Sequence, residues 1–581
     1  MFKLIKGLRT GDWFYLLGAV AFIVIQVWLD LTLPDYTAKL TTEISSNGQL
    51  SMGIVFNNGF MMLLCALGSM LSAFACGFCT IKVASSFSYI TRERMFAKVT
   101  SFSNFEMKKF STPSLITRTT NDINQVHMFL ALGFQMLIKA PLLAVWAICK
   151  ISETSIEWTR ATVVTVLIIL VVVAVCISLC LPKFKKMQSL TDNLNSATRE
   201  SVSGVRVVRA FNAEDFQEGK FEKANVALTK SGLFTSRVMG ILSPVISLCL
   251  NGLSLAIYWI GAYLISAAVI GEKAIVFGTM MSFMQYGIQT VVAFMMLVMI
   301  FIFLPRATVS AKRINEILDT KPVIDTSGNK KSQVDNVGCV EFCNVGFRYH
   351  DGAEDCISDL SFKVNKGEIV AIIGATGSGK TTVIDLIPRF YDVTSGKVLV
   401  DGKDVREYDF ESLQEKVAVV SQKAVLFKGD VRSNVSYGAE DVDDEKIKTA
   451  LKLAKADFVF ELEDGLSASV SQGGTNFSGG QKQRLSIARA IYKNSEIIIF
   501  DDSFSALDYK TDMEVRANIK ESLDEKTIII VAQRIGTIKN ADKILVLDEG
   551  RLVAEGKHEW LIENCELYKE IALSQLSKEE L

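Results

Sequence analysis

Net charge is nearly absent from this sequence: 62 Lys and Arg stand against 63 Asp and Glu, leaving −1 at pH 7. That balance argues against a broadly basic nucleic-acid surface, so nucleic acid is not an expected partner. The eleven cysteines show neither a disulfide framework nor zinc-ligand spacing. Cys76 and Cys79 form a C-x-x-C, but inside a long apolar run they read as two small apolar side chains, and no role is assigned to them. No small-residue cleavage pattern follows the first apolar run, so Lys3, Lys6 and Arg9 mark the cytoplasmic start of an uncleaved membrane helix. Histidine is scarce, with only His127, His350 and His558.

Long apolar runs are abundant, and nearly all lie before residue 306. Six of them reach the ~20 apolar residues that a hydrocarbon layer ~30 Å thick demands of a helix. They cover approximately residues 13–33, 54–81, 126–149, 161–181, 244–270 and 274–304. Asp30 near the outer end of the first and Lys139 beside Pro141 in the third interrupt the pattern. Such charges face a wet cavity or a partner, or snorkel to the boundary. Segments 82–125 and 183–237 hold 7 and 10 Lys/Arg, whereas the alternate loops hold only Lys39, Lys150, Arg160 and Lys273. The bias, 17 against 4, places the N-terminus and the two long loops in the cytoplasm of a plasma-membrane protein. The polar, proline-free stretches 187–203 and 216–230 extend the helices into the cytoplasm, and residues 111–122 and 211–216 have turn and cap residues suited to short transverse helices at the tips. The expected plan is a transmembrane domain over 1–305, a linker over 306–337 and a soluble domain over 338–581.

The soluble half holds Gly374-Ala375-Thr376-Gly377-Ser378-Gly379-Lys380-Thr381, directly after a strand predicted over 369–373. This is a phosphate-binding loop: glycines let backbone N–H groups close around phosphates, Lys380 reaches the β- and γ-phosphates, and Thr381 ligates Mg²⁺. Thr382 continues the loop into its helix. Residues 497–500 form a second apolar strand ending at Asp501-Asp502, which sets Asp501 beside the loop as a Mg²⁺ partner. Between them, Phe477-Ser478-Gly479-Gly480-Gln481 is a polar turn entering a helix, with N–H groups that suit a second phosphate.

On these motifs the whole chain resembles a half-transporter of the ATP-binding cassette (ABC) exporter family, specifically the degenerate-site subunit of heterodimeric bacterial multidrug exporters. The fold class implied is a polytopic six-helix membrane domain fused to an α/β phosphate-loop cassette. The resemblance implies that Ser478, Gly479, Gly480 and Gln481 close over ATP held by a second subunit. It also implies that Tyr349 stacks on adenine, that Gln422 ligates Mg²⁺, and that residues 505–508 span the dimer interface. ATP binding would close the cassettes and hydrolysis would reset them.

Two positions depart from the family pattern together. Asp502 stands where efficient hydrolysers carry Glu, and Gln533 where they carry the switch His, with no histidine between Asp502 and Arg534 to substitute. Asp is one methylene shorter than Glu, and a misplacement of ~1 Å costs ~10²-fold in rate. Gln533 can hydrogen-bond a phosphate but cannot become an imidazolium. ATP binding should survive better than hydrolysis, while the signature turn is intact. These features suggest a heterodimer whose partner supplies Glu and His, and a cargo of hydrophobic or amphipathic compounds accepted by a methionine- and aromatic-rich membrane half. The alternatives are a homodimeric lipid or peptide exporter, or an ATP-gated channel or regulatory membrane protein.

Overall fold

The computed structural model describes residues 2–45, 51–152, 156–269, 272–324, 338–349, 352 and 354–575. Its chain forms two compact units, one built from residues 2–100 and Thr112–Thr320, the other from Ser101–Ser111 and residues 321–575.

Among the described residues, six helices in the first unit are long and apolar enough to cross a membrane: α1 (Thr10–Ser45), α2 (Met52–Thr100), α3 (Thr112–Ser152), α4 (Ile156–Ser203), α5 (Glu214–Ala267) and α6 (Lys273–Asp319). Each expected span falls on one of them, although α5 ends at Ala267, short of the expected 270. Their outward faces carry exposed Leu, Ile, Val and Phe, such as Leu71, Phe74, Val171 and Leu248, as a surface solvated by lipid requires. The inner faces close on a core of Ala19, Ile23, Val27, Leu31, Cys76, Ala147, Trp158, Ile257 and Phe283. Cys76 and Cys79 are buried free thiols in that packing, the bland reading of the C-x-x-C. Of the methionines and aromatics considered as cargo lining, Met280, Phe283 and Tyr286 are buried, whereas Trp28, Phe60, Met295 and Met299 are exposed. α3 widens to π-type hydrogen bonding at Arg118–Asp122 and Phe129–Gly133.

The long loops are helical extensions, as expected, but their tips sit elsewhere. The first short helix is Asn104–Phe110, opened by a Ser103/Glu106 capping box and ended by Ser111 at φ 52°; residues 112–122 begin α3 instead. The second is Val205–Ala210, and residues 211–216 hold the turn after it and the start of α5. α6 runs on to Asp319, through positions where the loss of apolar runs suggested a linker. The polar stretch 327–332 lies outside the described residues.

In the second unit, β1 (Val340–Phe347) pairs antiparallel with β2 (Ile357–Val364) and with β4 (Ser395–Val400), which pairs with β5 (Lys403–Asp404). A six-stranded sheet runs β10–β9–β3–β8–β7–β6, with β3 (Ile369–Gly374), β6 (Val417–Val420), β7 (Ile497–Asp501), β8 (Thr527–Val531), β9 (Lys543–Asp548) and β10 (Arg551–Gly556). All its pairings are parallel except β9 with β10. The central strands read as near-continuous apolar runs rich in Ile and Val because both faces are buried. Their carboxyl ends therefore share one edge, where ligands of open α/β sheets bind.

Candidate functional site

Each expected nucleotide residue on that sheet follows a strand end. β3 runs into the phosphate loop and α7 (Lys380–Leu386). Gly377 and Gly379 adopt φ 89° and 92°, values that a side chain resists, and the turn admits little else. The Lys380 ammonium donates to Gly374 O at 2.9 Å and Ala375 O at 2.7 Å, so the lysine is drawn over the loop. Burial pushes its pKa down, while Asp502 and Asp501 oppose that shift.

β7 delivers Asp501, 8 % exposed, whose carboxylate accepts from Thr381 Oγ1 at 3.4 Å. Burial raises its pKa, opposed by the Thr381 hydrogen bond and Lys380 and reinforced by Asp502. Asp502 has φ 45°, and its backbone N–H donates to Val531 O at 2.9 Å. Its carboxylate accepts from two amides: Gln422 Nε2 at 3.1 Å and Gln533 Nε2 at 3.4 Å. Topology explains the convergence. Gln422 lies two residues beyond β6 and Gln533 two beyond β8, the two neighbours of β7 in the sheet. The structure thus brings both altered positions, Asp502 and Gln533, into direct contact. Thr381, Asp501 and the Gln422 amide oxygen offer hard oxygen ligands that fit Mg²⁺, an ion that shares its sphere with substrate phosphates. Among the described residues no cluster of His, Cys, Asp and Glu forms a metal cage of its own.

The signature turn caps α8 (Gly479–Lys493). Ser478 Oγ accepts from Gln481 N at 3.3 Å, and Gln481 Oε1 accepts from Ser478 N at 2.8 Å. Phe477 packs in the core beside Phe458. Gln483, on the buried face of α8, donates to Ser421 O at 3.3 Å and ties this helix to the segment carrying Gln422. Ser505 Oγ donates to Asp502 O, and Asp508 caps α9 (Tyr509–Ser522).

Tyr349 lies against Phe347 and Tyr391, ring centroids 4.8 and 5.4 Å away, and its hydroxyl is 2.9 Å from Thr382 Oγ1. Thr382 thus braces the tyrosine. Three neighbours, Tyr391, Lys108 and Asp385, escaped the sequence reading. Lys108, in the short helix Asn104–Phe110, places its ammonium 5.2 Å from the Tyr349 ring centroid and 5.8 Å from that of Tyr391; its pKa is raised chiefly by a hydrogen bond to Tyr391. Asp385, one turn along α7, has its pKa pushed up to about 6 by burial and by Asp501, against the pull of Lys108. The Ser103-x-x-Glu106 capping box was the available signal for the helix that carries Lys108.

Comparison with known proteins agrees with this geometry. The family profile described as the ABC transporter transmembrane region matches residues 14–304, and the ABC transporter profile matches residues 357–505. An uncharacterized ABC transporter ATP-binding protein of Mycobacterium tuberculosis is 38% identical over 561 residues, 95% of this chain and 94% of that protein. An ATP-dependent lipid A-core flippase of Syntrophus aciditrophicus is 30% identical over 482 residues, 81% of this chain and 77% of its own. A bacterial Atm1-family ABC exporter solved with ATP bound superposes with a TM-score of 0.80 at 25% identity, over 97% of this chain and 99% of that one.

Proposed function

We propose that this chain, which belongs to the ABC transporter family, is the degenerate-site half of a heterodimeric exporter. Its exporter fold and its use of ATP follow from that membership. The finer reading rests on one observation: the carboxylate at the catalytic position is the shorter Asp502, engaged by Gln422 and by the Gln533 that replaces the switch histidine.

ATP with Mg²⁺ binds at residues 374–382 with Tyr349, Gln422 and Asp501, and hydrolysis there is slow. The turn Ser478–Gln481 completes a second site, on a partner that supplies Glu and His. Cargo is hydrophobic or amphipathic, a class favoured by the exposed aromatic and methionine side chains of the membrane unit and by the flippase named among its relatives. The Lys/Arg bias sets the N-terminus and the cassette in the cytoplasm, with the six helices in the plasma membrane.

The test is to purify the chain alone and together with the half-transporter that co-purifies with it, and to measure ATP turnover of each. Near-inactivity alone with turnover on pairing supports the reading. Rapid turnover by the chain alone would sink it and establish a working homodimer.

A further inference from the structure

Asp30 does not snorkel. Helix α1 continues twelve residues beyond Leu33 to Ser45, so Asp30 lies well inside it, and its carboxylate pairs with Lys139 of α3 at 3.4 Å and accepts from Ser69 of α2. One turn further, Asp35 pairs with Lys150 of α3 at 2.9 Å. Between the two acids stands Pro34, inside the helix and buried. Proline has no N–H to give to the carbonyl four residues back, and its ring crowds that carbonyl. The carbonyl deprived by Pro34 is that of Asp30.

Helix α6 answers this break. Gln289 Nε2 donates to Asp30 O at 2.9 Å, and the Tyr286 hydroxyl lies 3.1 Å from Leu31 O and within hydrogen-bond distance of Asp35 Oδ1. Tyr286 and Gln289 are three residues apart and so share one face of α6. Within an apolar layer, a carbonyl freed by proline must be re-satisfied by a neighbour, and the Gln289 amide does so. Past the break, α1 touches α6 at backbone range: a Cβ on Gly278 would stand 2.6 Å from Ala38 O. Helix α1 is therefore attached to α6 by hydrogen bonds at Asp30, Leu31 and Asp35 and by a glycine contact at Ala38.

We propose that the carbonyl freed by Pro34 forms a latch with Gln289 of α6, braced by Tyr286, and that this latch sets the ratio of closed to open forms of the membrane unit. It rests on the reading of the chain as an alternating exporter. Parting α6 from α1 strips the Asp30 carbonyl of the Gln289 amide that stands in for the missing N–H. The Asp30–Lys139 and Asp35–Lys150 pairs hold α1 on α3 on both sides of the proline meanwhile, so α6 is the helix that moves away.

The test is a double-mutant cycle in the assembled transporter in lipid nanodiscs. Spin labels are attached through unnatural side chains at Lys39 of α1 and Ile275 of α6, both exposed, leaving the native cysteines in place. Gln289→Leu should raise the separated population about fivefold, the equivalent of ~1 kcal/mol for one net hydrogen bond. Pro34→Ala, which restores the N–H, should raise that population by itself, because the carbonyl stays satisfied when α6 leaves. Gln289→Leu on the Pro34→Ala background should then do little, because the carbonyl no longer needs the amide. An equal effect of Gln289→Leu on both backgrounds, or distances that respond to ATP identically in every variant, would overturn the latch alone. Distances indifferent to both ATP and substitution would overturn the alternating reading with it.

Discussion

At Asp502 a single methylene separates two kinds of site. The carboxylate stands at the end of β7, where a glutamate would reach further towards the phosphate loop, and two amides engage it from the flanking strands. A carboxylate so held is a poor base for water, since its acceptor capacity is partly used and its reach is short. Asp502→Glu with Gln533→His should raise turnover at this chain's own site by about 10²-fold. The measurement is ATP turnover in a dimer whose other site is disabled, and an unchanged rate would mean that the remaining loop geometry is the impediment. Asp385 supplies a second prediction. Its pKa of about 6 in the fold lies above the ordinary 3.8, so the folded state retains its proton to higher pH than the unfolded chain. Stability must then fall as pH rises from about 4 to about 6, by on the order of 3 kcal/mol at most. Asp385→Asn should lift the thermal midpoint of the full chain at pH 7 and leave it unchanged at pH 4; a midpoint that drops equally at both would show a structural role instead.

The elements show what a sequence reveals and what it conceals. The six spans and the strands bearing the phosphate loop and Asp501 were legible because hydrophobic runs of fixed length have few alternatives. The loop tips were not. Residues 111–122 include Pro113 among their turn residues, yet a proline is at home in the first turn of a helix, and there it opens α3. The actual short helix is marked by Ser103 and Glu106, two ordinary polar residues whose meaning appears only once Glu106 is found 1 % exposed. Gly204 and the positive-φ Asn212 similarly bracket Val205–Ala210. The pairing of Asp30 with Lys139 was hidden for another reason: it joins two helices 109 residues apart. Glu106 accepts from the Ser103 N–H and hydroxyl and from Val323 N, so Glu106→Ala leaves several donors unmet and should cost about 1–3 kcal/mol locally. Hydrogen exchange across residues 103–110 should quicken accordingly, while Glu106→Gln, which keeps one acceptor, falls between; equal exchange in all three would refute the cap.

For the whole molecule, the decisive property is which of its two nucleotide-facing surfaces matters to turnover. The phosphate loop and the signature turn sit on separate elements of the cassette, α7 and α8, and each can be damaged without touching the other. In a symmetric dimer both contribute to both working sites, so Lys380→Met and Ser478→Arg should each abolish hydrolysis. In the asymmetric assembly the outcomes separate. Lys380→Met empties this chain's slow site and should leave most of the turnover, with loss of tightly retained ATP. Ser478→Arg sets a bulky cation on the turn that completes the partner's fast site and should reduce turnover by at least ~10²-fold, the scale on which removing one aligned phosphate-stabilising group is felt. Steady-state hydrolysis and retained-nucleotide counts on the same two variants measure both halves of this expectation. Equal collapse in the two would place a competent site on this chain despite Asp502 and Gln533, because only then would its own lysine be needed for every turnover.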